Sequence, residues 1–331
     1  MSTATAPRAM ADEGRRIRWA DLAPFIALAV IVLLGTLINA NFISSANIVN
    51  IVTRTAFIAI IAVGATFVIS SGGLDLSVGS MMAFVTGIMI MTMNGLAPSY
   101  GGWAIVIGAG VALIVGALCG LFNGLVVTLG RIEPFIVTLG TMGIFRAFIT
   151  FMTDGGSLAI DRSLREAYRP VYFGNFLGIP YPVLITLCMA LLGAFLLYRT
   201  KFGRRLTSVG SNSEVARFSG VNVGGIRTVA YVIQGLCVAV AAICYVPRLG
   251  AVTPTTGQLW ELQVITAVVI GGTVLRGGRG RIWGTVAGAL ILEVIANVMV
   301  LSDMVSEYLV AAVQGAIIII AMLAHRFTAN R

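Results

Sequence analysis

The chain has 331 residues, of which 58% are hydrophobic and 11% are charged, and its formal net charge is +9. Soluble domains carry about 25% charged residues, so this composition excludes an ordinary soluble protein. The apolar residues form runs of about 20, long enough to cross a bilayer, which predicts a polytopic membrane protein of the all-α class.

Ten apolar runs follow one another along the chain and are predicted to cross the membrane. Their approximate bounds are 22–40, 51–71, 77–94, 102–128, 134–153, 181–198, 229–246, 259–275, 282–301 and 306–324. Gly116 and Gly120, in the fourth run, form a G-x-x-x-G motif. That spacing is typical of helices that pack closely in lipid.

The distribution of Lys and Arg predicts the orientation of the chain. With the N-terminus inside, sixteen of these residues fall in inside segments and four in outside segments. Because Lys and Arg accumulate on the cytoplasmic side, both termini are predicted inside, and the net charge indicates topology rather than a nucleic-acid partner. The domain limits that follow are a cytoplasmic segment 1–21, a transmembrane domain 22–325 and a cytoplasmic tail 326–331. The transmembrane domain has two long polar segments, an external one at 154–180 and a cytoplasmic one at 199–228.

The stretch SSGGLDLSVGS, residues 70–80, separates the second and third runs and predicts a break between helices. Gly72 and Gly73 permit the backbone angles that end a helix. Asp75 is predicted to cap the next helix by accepting from backbone N–H groups near Ser77, ahead of Gly79. A charge at membrane depth costs roughly 2.5–3.5 kcal/mol, so the break is either a cap alone or also a gating element of a transport pathway.

Internal repetition is weak. GGLDLSVGS (72–80) and GGRGRIWGT (277–285) share the pattern GG-x5-G-[ST], and each precedes an apolar run. Broken helices in matching positions are typical of transporters built from repeats. The predicted fold is thus an all-α bundle of about ten spans with broken or re-entrant helices and a weak internal repeat.

Two charges inside predicted spans invite pairing. Arg146 is 12 residues into the fifth span and Glu293 is 11 into the ninth, and both spans run from inside to outside. At about 1.5 Å per residue the two side chains have nearly the same depth, roughly 16–18 Å. They form either a buried pair or separate contacts with backbone carbonyls and the interface.

The cytoplasmic stretch VGSNSEVARFSGVNVGGIR, residues 209–227, predicts a short capped helix. Ser211 and Glu214 fit an S-x-x-E capping box, which would begin the helix at about Asn212. Gly220 is placed to end it in a left-handed turn. Val215 and Phe218 would share an apolar side, so the segment is either a docking knob or an ordinary surface turn.

Common enzyme motifs do not occur in the sequence. There is no G-x-x-x-x-G-K-[ST] phosphate loop, so the chain is not expected to bind ATP in that way. HExxH, CxxC and G-x-S-x-G are also missing, and a single histidine, His325, excludes a His-based zinc site. We therefore expect no catalytic residues, metal or cofactor in this chain.

Four motifs resemble the ribose/xylose permease family of ABC importers. They are SSGGLDLSVGS, RIEPFIVTLGTMGIFR (131–146), VGSNSEVARFSGVNV (209–223) and ELQVITAVVIGGTVLRGGRGRIWGT (261–285). Glu214-Val215-Ala216 followed by Gly220 also resembles the E-A-A-x3-G loop of importer permeases, with Val in the second position. The later I-x-L-P part of that loop is missing.

The resemblance implies a permease subunit that imports a monosaccharide or sugar-like solute by alternating access across the bacterial inner membrane. It implies cytoplasmic ATP-binding subunits, which hold the ATP and Mg, an extracytoplasmic sugar-binding protein, and a dimer with itself or with a related permease. The residues assigned to coupling with the ATP-binding subunits are Ser211, Glu214, Ala216, Arg217, Phe218 and Gly220.

Polar and aromatic residues within the spans are candidates for the substrate pathway. Hydroxyl groups of a neutral sugar need amide partners, and a sugar ring can stack on an aromatic face. The candidates are Asn123, Phe135, Gln234, Trp260, Gln263 and Asn297. Hydrogen bonding between helices is the alternative use of the amides.

Two other functional classes stay open at this point. An ion-coupled secondary transporter would use Asp75 and Glu293 as ion sites. A membrane scaffold or enzyme would move no solute. The solute itself, and the choice between a homodimer and a heterodimer, are not determined by these motifs.

Overall fold

The computed structural model describes residues 19–302 together with residues 309, 312, 313, 315 and 316. Within them the chain forms thirteen α-helices, one 3-10 helix at Ala40–Ile43 and four two-residue strands. The helices are α1 Trp19–Ile38, α2 Ser45–Ser70, α3 Val78–Tyr100, α4 Trp103–Leu129, α5 Pro134–Met152, α6 Arg162–Tyr168, α7 Pro170–Phe173, α8 Tyr181–Arg199, α9 Lys201–Ser211, α10 Ser213–Phe218, α11 Val223–Leu249, α12 Trp260–Ile270 and α13 Ile282–Leu301.

The strands form two antiparallel pairs in the predicted external segment and beside it. Strand β1, Leu158–Ala159, pairs with β4, Ala251–Val252, and thereby links the 154–180 segment to the end of α11. Strands β2, Asn175–Phe176, and β3, Ile179–Pro180, form a hairpin.

Seven helices in the described part of the chain are long and apolar enough to cross a membrane: α2, α3, α4, α5, α8, α11 and α13. This confirms a polytopic helical protein. Helix α12 has 11 residues and a length of about 16 Å, too short for a hydrocarbon core of about 30 Å, so the run 259–275 was wrongly predicted as a full span. The run 306–324 and the terminal segments 1–18 and 326–331 lie wholly or mostly outside the described residues, and the count of ten stays a prediction.

Helix α2 is the centre of the bundle. Every residue from Ala59 to Ser71 is buried, and the helix packs against α8, α11, α12 and α13. A helix that is hydrophobic all round fits such a central position. Elements that continue from α2, including the break at 71–77, therefore begin inside the protein rather than at its edge.

Helices α4 and α11 cross at backbone contact. A Cβ atom on Gly235 would meet the carbonyl oxygen of Gly116, and a Cβ on Gly120 would meet the carbonyl oxygen of Tyr231. The G-x-x-x-G motif thus forms the contact that its spacing predicted. Since lipid tails are as apolar as the side chains, such close packing is a main source of helix association.

The breaks after α2 and α12 have the same backbone geometry. Gly72 and Gly272 adopt left-handed φ angles of 82° and 84°. The amides of Gly73 and Thr273 each return to a carbonyl five residues earlier, at Val68 and Val268. Each of these hydrogen bonds helps to close its helix end, because it satisfies a carbonyl that would otherwise have no partner. The internal repeat stays a prediction, although the two ends are alike.

We predict that Gly235→Ala destabilises the protein, because the methyl group must push α4 and α11 apart. Overpacking of this kind costs about 1–3 kcal/mol. The measurement is the melting temperature of the purified protein in detergent. Gly110→Ala is the matched control, since Gly110 lies on α4 with no atom within 4 Å of its added Cβ. Equal melting temperatures for the two variants would contradict the close α4–α11 contact.

Candidate functional site

Helix α10 presents an apolar surface in the polar segment between α8 and α11. Val215 is 59% exposed and Phe218 is 82% exposed, whereas Ala216 between them is buried. The Arg217 guanidinium lies 5.6 Å from the centre of the Phe218 ring. Neighbouring exposed apolar side chains bordered by polar groups are typical of interaction sites, which makes this surface a candidate.

The helix start differs from the predicted capping box. Ser211 is the last residue of α9, and its hydroxyl donates to the carbonyl of Thr207 at 2.9 Å. Asn212 is the cap instead, since its Oδ1 accepts from the amides of Glu214 and Val215, both at 3.0 Å. The prediction of Ser211 as cap was wrong because α9 continues through it. Gly220, with φ of 77°, follows the end of α10 in the left-handed region.

Sequence reasoning did not identify α9. Its buried residues are Gly203, Leu206 and Val209, and Arg204 and Arg205 are exposed on the other side. Leu206 and Val209 are three residues apart, a helical spacing that was the available signal. The buried side of α9 thus anchors both α9 and the following helix α10 to the bundle.

A cleft of about 400 Å³ lies beside α10. It is lined by Glu214 and Arg217 of α10, by Arg227 of α11, and by Arg131 and Glu133 of the turn between α4 and α5. The sequence analysis included this turn in the motif 131–146 but assigned it no role in binding. The apolar knob of α10 is therefore bordered by a charged groove made from three parts of the chain.

The break at 71–77 holds a buried polar cluster. Asp75 is 5% exposed, and its Oδ1 accepts from the amide of Ser77 at 2.9 Å and from the Ser77 hydroxyl at 2.6 Å. Asn123 of α4 donates from Nδ2 to the Ser77 hydroxyl oxygen at 2.9 Å. The structure therefore brings together Asp75, Ser77 and Asn123, three residues that the sequence placed in two separate groups.

This cluster leaves hydrogen-bonding capacity unused. Among the described residues, Asp75 Oδ2 and Asn123 Oδ1 have no hydrogen-bond partner, and neither has Gln234 Oε1 on α11. Buried acceptors without a hydrogen-bond partner are rare in folded proteins, so this cluster is a candidate place for water or a solute hydroxyl.

Arg146 binds the backbone of an irregular segment, residues 253–259. Its Nη1 donates to the carbonyl of Pro254 and, at 2.8 Å, to that of Thr256. Gly257, with φ of 71°, packs against Gly79 at the start of α3. The segment thus enters between the spans, because it contacts the middle of α5 and the first turn of α3. Backbone without regular hydrogen bonds is tolerated at membrane depth only where protein groups satisfy it or where it lines a cavity.

The predicted pair of Arg146 and Glu293 does not form. Glu293 Oε1 lies 3.0 Å from Nε of Arg54, on α2. Equal depth did not suffice, because pairing also requires that the two helix faces meet. Arg54 lies in the second predicted span, 51–71, and the sequence analysis did not consider it as the partner of Glu293.

The remaining pathway candidates divide into different environments. Asn297 exchanges two amide hydrogen bonds with Asn47, at 2.9 and 2.8 Å, and so links α13 to α2. Phe135 is 52% exposed at the start of α5. Trp260 stacks on Phe57 with ring centres 6.3 Å apart. Gln263 is half-buried on α12.

No group that could hold a metal occurs in the described part of the chain, where no three His, Cys, Asp or Glu side chains come together.

Comparisons with known proteins agree over nearly the whole chain. A family model described as the permease component of branched-chain amino acid transport systems matches residues 47–322. The ribose import permease protein RbsC of Bacillus subtilis is 40% identical, and the match covers 92% of each chain. RbsC of Escherichia coli K12 is 36% identical over 90% of this chain and 91% of that one. The xylose transport system permease protein XylH of Escherichia coli K12 is 31% identical over 94% and 93%.

A solved structure shares the fold. It is the inward-facing conformation of a metal-chelate type ABC transporter, with a TM-score of 0.52 and 12% identity, and the match covers 91% of this chain and 97% of that one. At this identity the likeness concerns the fold alone.

We predict that Arg54 and Glu293 are energetically coupled, whereas Arg146 and Glu293 are independent. Contacting charges deviate from additivity by about 0.5 kcal/mol or more, and distant sites add within about 0.3–0.5 kcal/mol. The measurement is a pair of double-mutant cycles on thermal stability, with Arg54→Met and Glu293→Gln in one cycle, and Arg146→Met and Glu293→Gln in the other. Coupling confined to the second cycle would contradict the structure.

Proposed function

The chain belongs to the permease family of ABC importers that includes the ribose and xylose permeases, and on this premise we propose that it carries a monosaccharide into the cytoplasm. It is a transport subunit of the bacterial inner membrane, and ATP hydrolysis belongs to separate subunits. The observation that carries the substrate proposal is the similarity to ribose and xylose permeases over at least nine-tenths of the chain. The similarity gives no support to an ion-coupled carrier.

The proposed orientation places α9 and α10 in the cytoplasm and the 154–180 segment outside. Support comes from the excess of Lys and Arg in the segments assigned to the inside. In this arrangement both termini are cytoplasmic, α10 faces the ATP-binding subunits, and the external segment faces a sugar-binding protein. ATP and Mg are proposed to bind to the partner subunits.

Helix α10 is proposed as the element that transmits the ATP cycle to the spans. Val215 and Phe218 would enter a groove of an ATP-binding subunit, and Arg217 and Glu214 would contact its rim. The exposed apolar side chains support this, since truncation of buried aromatic residues at interfaces often costs 2 kcal/mol or more. Gly220 would hold the end of the helix, and Ala216, which is buried, would fix it to the bundle.

The break at 71–77 is proposed to move with that cycle. It follows the central helix α2, and its backbone touches the cytoplasmic segment. A Cβ atom on Gly210 of α9 would meet the Ser70 carbonyl oxygen, and Arg227 donates from Nε to the Ser71 carbonyl at 3.4 Å. A shift of α9 and α10 would therefore reach Gly72, Gly73 and Asp75 through direct contact. The unused acceptors at Asp75 and Asn123 would face water or solute when the break opens.

We predict that Phe218→Asp releases the ATP-binding subunits. A charge placed in an apolar groove loses at least 1.4 kcal/mol of binding, which is a tenfold weaker association. The measurement is the amount of ATP-binding subunit that co-purifies with the tagged permease in mild detergent. Leu177→Asp is the matched control, since Leu177 is 87% exposed in the segment proposed to be external. Loss of the subunits in the control but not in Phe218→Asp would reverse the proposed orientation.

The substrate class is tested by uptake into proteoliposomes that contain the complete importer. We expect ATP-dependent accumulation of D-ribose or D-xylose when the cognate binding protein is present, and none of L-leucine. Leucine is the relevant comparison because the matching family model is described by branched-chain amino acids. Uptake of leucine without either sugar would overturn the proposed function.

A further inference from the structure

A second polar region, separate from the break and from α10, surrounds the end of α11. A cavity of about 330 Å³ opens between α11, the segment 253–259 and the start of α12. This volume is at the lower end of the range of small-molecule sites, about 300–1,000 Å³. The side chains that line it and carry hydroxyl, amide or aromatic groups are Tyr245, Thr253, Thr255, Thr256, Gln258 and Trp260.

The hydroxyl groups form a connected array. Thr253 Oγ1 lies 3.1 Å from Thr255 Oγ1 and 3.2 Å from Thr256 Oγ1, and the Thr253 amide donates to Thr256 Oγ1 at 3.0 Å. Thr255 and Gln258 are exposed, whereas Thr256 is buried. A hydroxyl both donates and accepts, so Thr255 retains capacity for a ligand hydroxyl.

The aromatic wall is held in place from behind. Trp260 stacks on Phe57 with an interplanar angle of 15°, and the Tyr245 ring meets Trp260 edge-on with centres 5.6 Å apart. Such pairs add about 0.5–1.5 kcal/mol beyond the burial of their area. A rigid indole beside a row of hydroxyls suits a sugar, whose ring has an apolar C–H face and a polar rim.

The charge of the cavity favours a neutral ligand. None of its described lining residues carries a formal charge. The neighbouring cations already have partners, since Arg146 binds the carbonyls of Pro254 and Thr256, and Arg248 lies 5.8 Å from the centre of the Phe57 ring. Burial of an unpaired charge is costly, so a zwitterionic amino acid would be disfavoured here.

The segment that carries the array is fixed and strained. Arg146 holds two of its carbonyls, and Leu259 adopts a left-handed φ of 64°, which is rare for a residue with a side chain. Strained backbone persists only where the surrounding structure holds it, and it is frequent in ligand sites. Rigid placement of Thr255 and Gln258 would lower the entropy cost of binding.

We propose that this cavity is a carbohydrate subsite of the permease itself, in which a neutral monosaccharide contacts Trp260 with its ring and binds Thr255 and Gln258 with its hydroxyls. The subsite rests on the proposed function, and it names residues of the pathway within that function. In the proposed orientation, the sugar would bind this subsite weakly from the external side. It would do so after its delivery and before its passage through the bundle.

Occupancy is tested by protection of a cysteine. Thr255→Cys is placed in the permease with its ATP-binding subunits, in a background with Cys188→Ser, because Cys188 is the exposed one of the four cysteines. Millimolar D-ribose or D-xylose is expected to slow the reaction with a charged methanethiosulfonate at least threefold, and L-leucine is expected to leave the rate unchanged. Ser163→Cys, also exposed, is the control position and is expected to react equally with and without sugar.

Three results of this experiment overturn the subsite, and the first two concern the sugars. One is an unchanged rate at Thr255→Cys with both sugars, and the other is equal protection at Ser163→Cys, which would indicate a general effect on the reagent. Protection by leucine and not by sugars would replace the carbohydrate with an amino acid and would also overturn it.

Uptake separates failure of the subsite from failure of the proposed function. Thr255→Val and Gln258→Leu are expected to lower sugar uptake about five- to tenfold and to change the ratio of ribose to xylose, while ATP hydrolysis is retained. Thr92→Val is the matched control, since the Thr92 hydroxyl bonds only the Ile88 carbonyl of its own helix at 2.8 Å. No uptake by the unaltered importer would overturn the proposed function, whereas normal uptake and an unchanged ratio in the variants would overturn the subsite alone.

Discussion

The structure depends on one constraint, which is that every backbone polar group within a bilayer needs a partner inside the protein. Continuous helices meet it without help, but the chain leaves helical structure at 71–77 and at 253–259. At the first place, Gly72 closes α2 and Asp75 receives the amide of Ser77. At the second, Arg146 binds two carbonyls that have no strand or helix partner. A charged side chain at each place thus satisfies irregular backbone, and the irregular backbone places polar groups within the bundle.

In contrast to these two irregular segments, the regular helices of the bundle are closely packed. Helices α4 and α11 approach to backbone contact at Gly116 and Gly235, and α2 is buried on all sides over residues 59–71. Such packing leaves little freedom within the centre. The proposed changes during transport are therefore assigned to the breaks and to the short helices α9 and α10, which join the centre through a few backbone contacts.

Much of the fold was predictable from the sequence, because apolar runs of spanning length need no tertiary information. The exposed apolar side of α10 was also visible, since Val215 and Phe218 share a helical face in any cap arrangement. The cap itself was assigned to Ser211 rather than Asn212, because the preceding helix could not be seen in a segment of mixed polarity. The partner of Glu293 was assigned wrongly, because residue depth follows from counting along one helix, whereas the facing side depends on how all the helices pack. The cavity near Trp260 was missed for a different reason, since Thr253, Thr255 and Thr256 lie between two predicted spans, in a connection to which the sequence analysis assigned no role.

The glycine contacts between α4 and α11 have a consequence for how variation among relatives should be interpreted. At Gly116, Gly120 and Gly235 a single added methyl group meets a carbonyl oxygen, so these positions tolerate no other residue without movement of a helix. They would be invariant for a reason of shape, although none of them touches a solute. The side chains of Thr255 and Gln258 are exposed on a backbone that Arg146 fixes, so other side chains fit at these two positions when the transported solute changes. In this protein, the invariant positions would thus be those that helix packing requires. The residues that distinguish one sugar from another would be found among the variable positions.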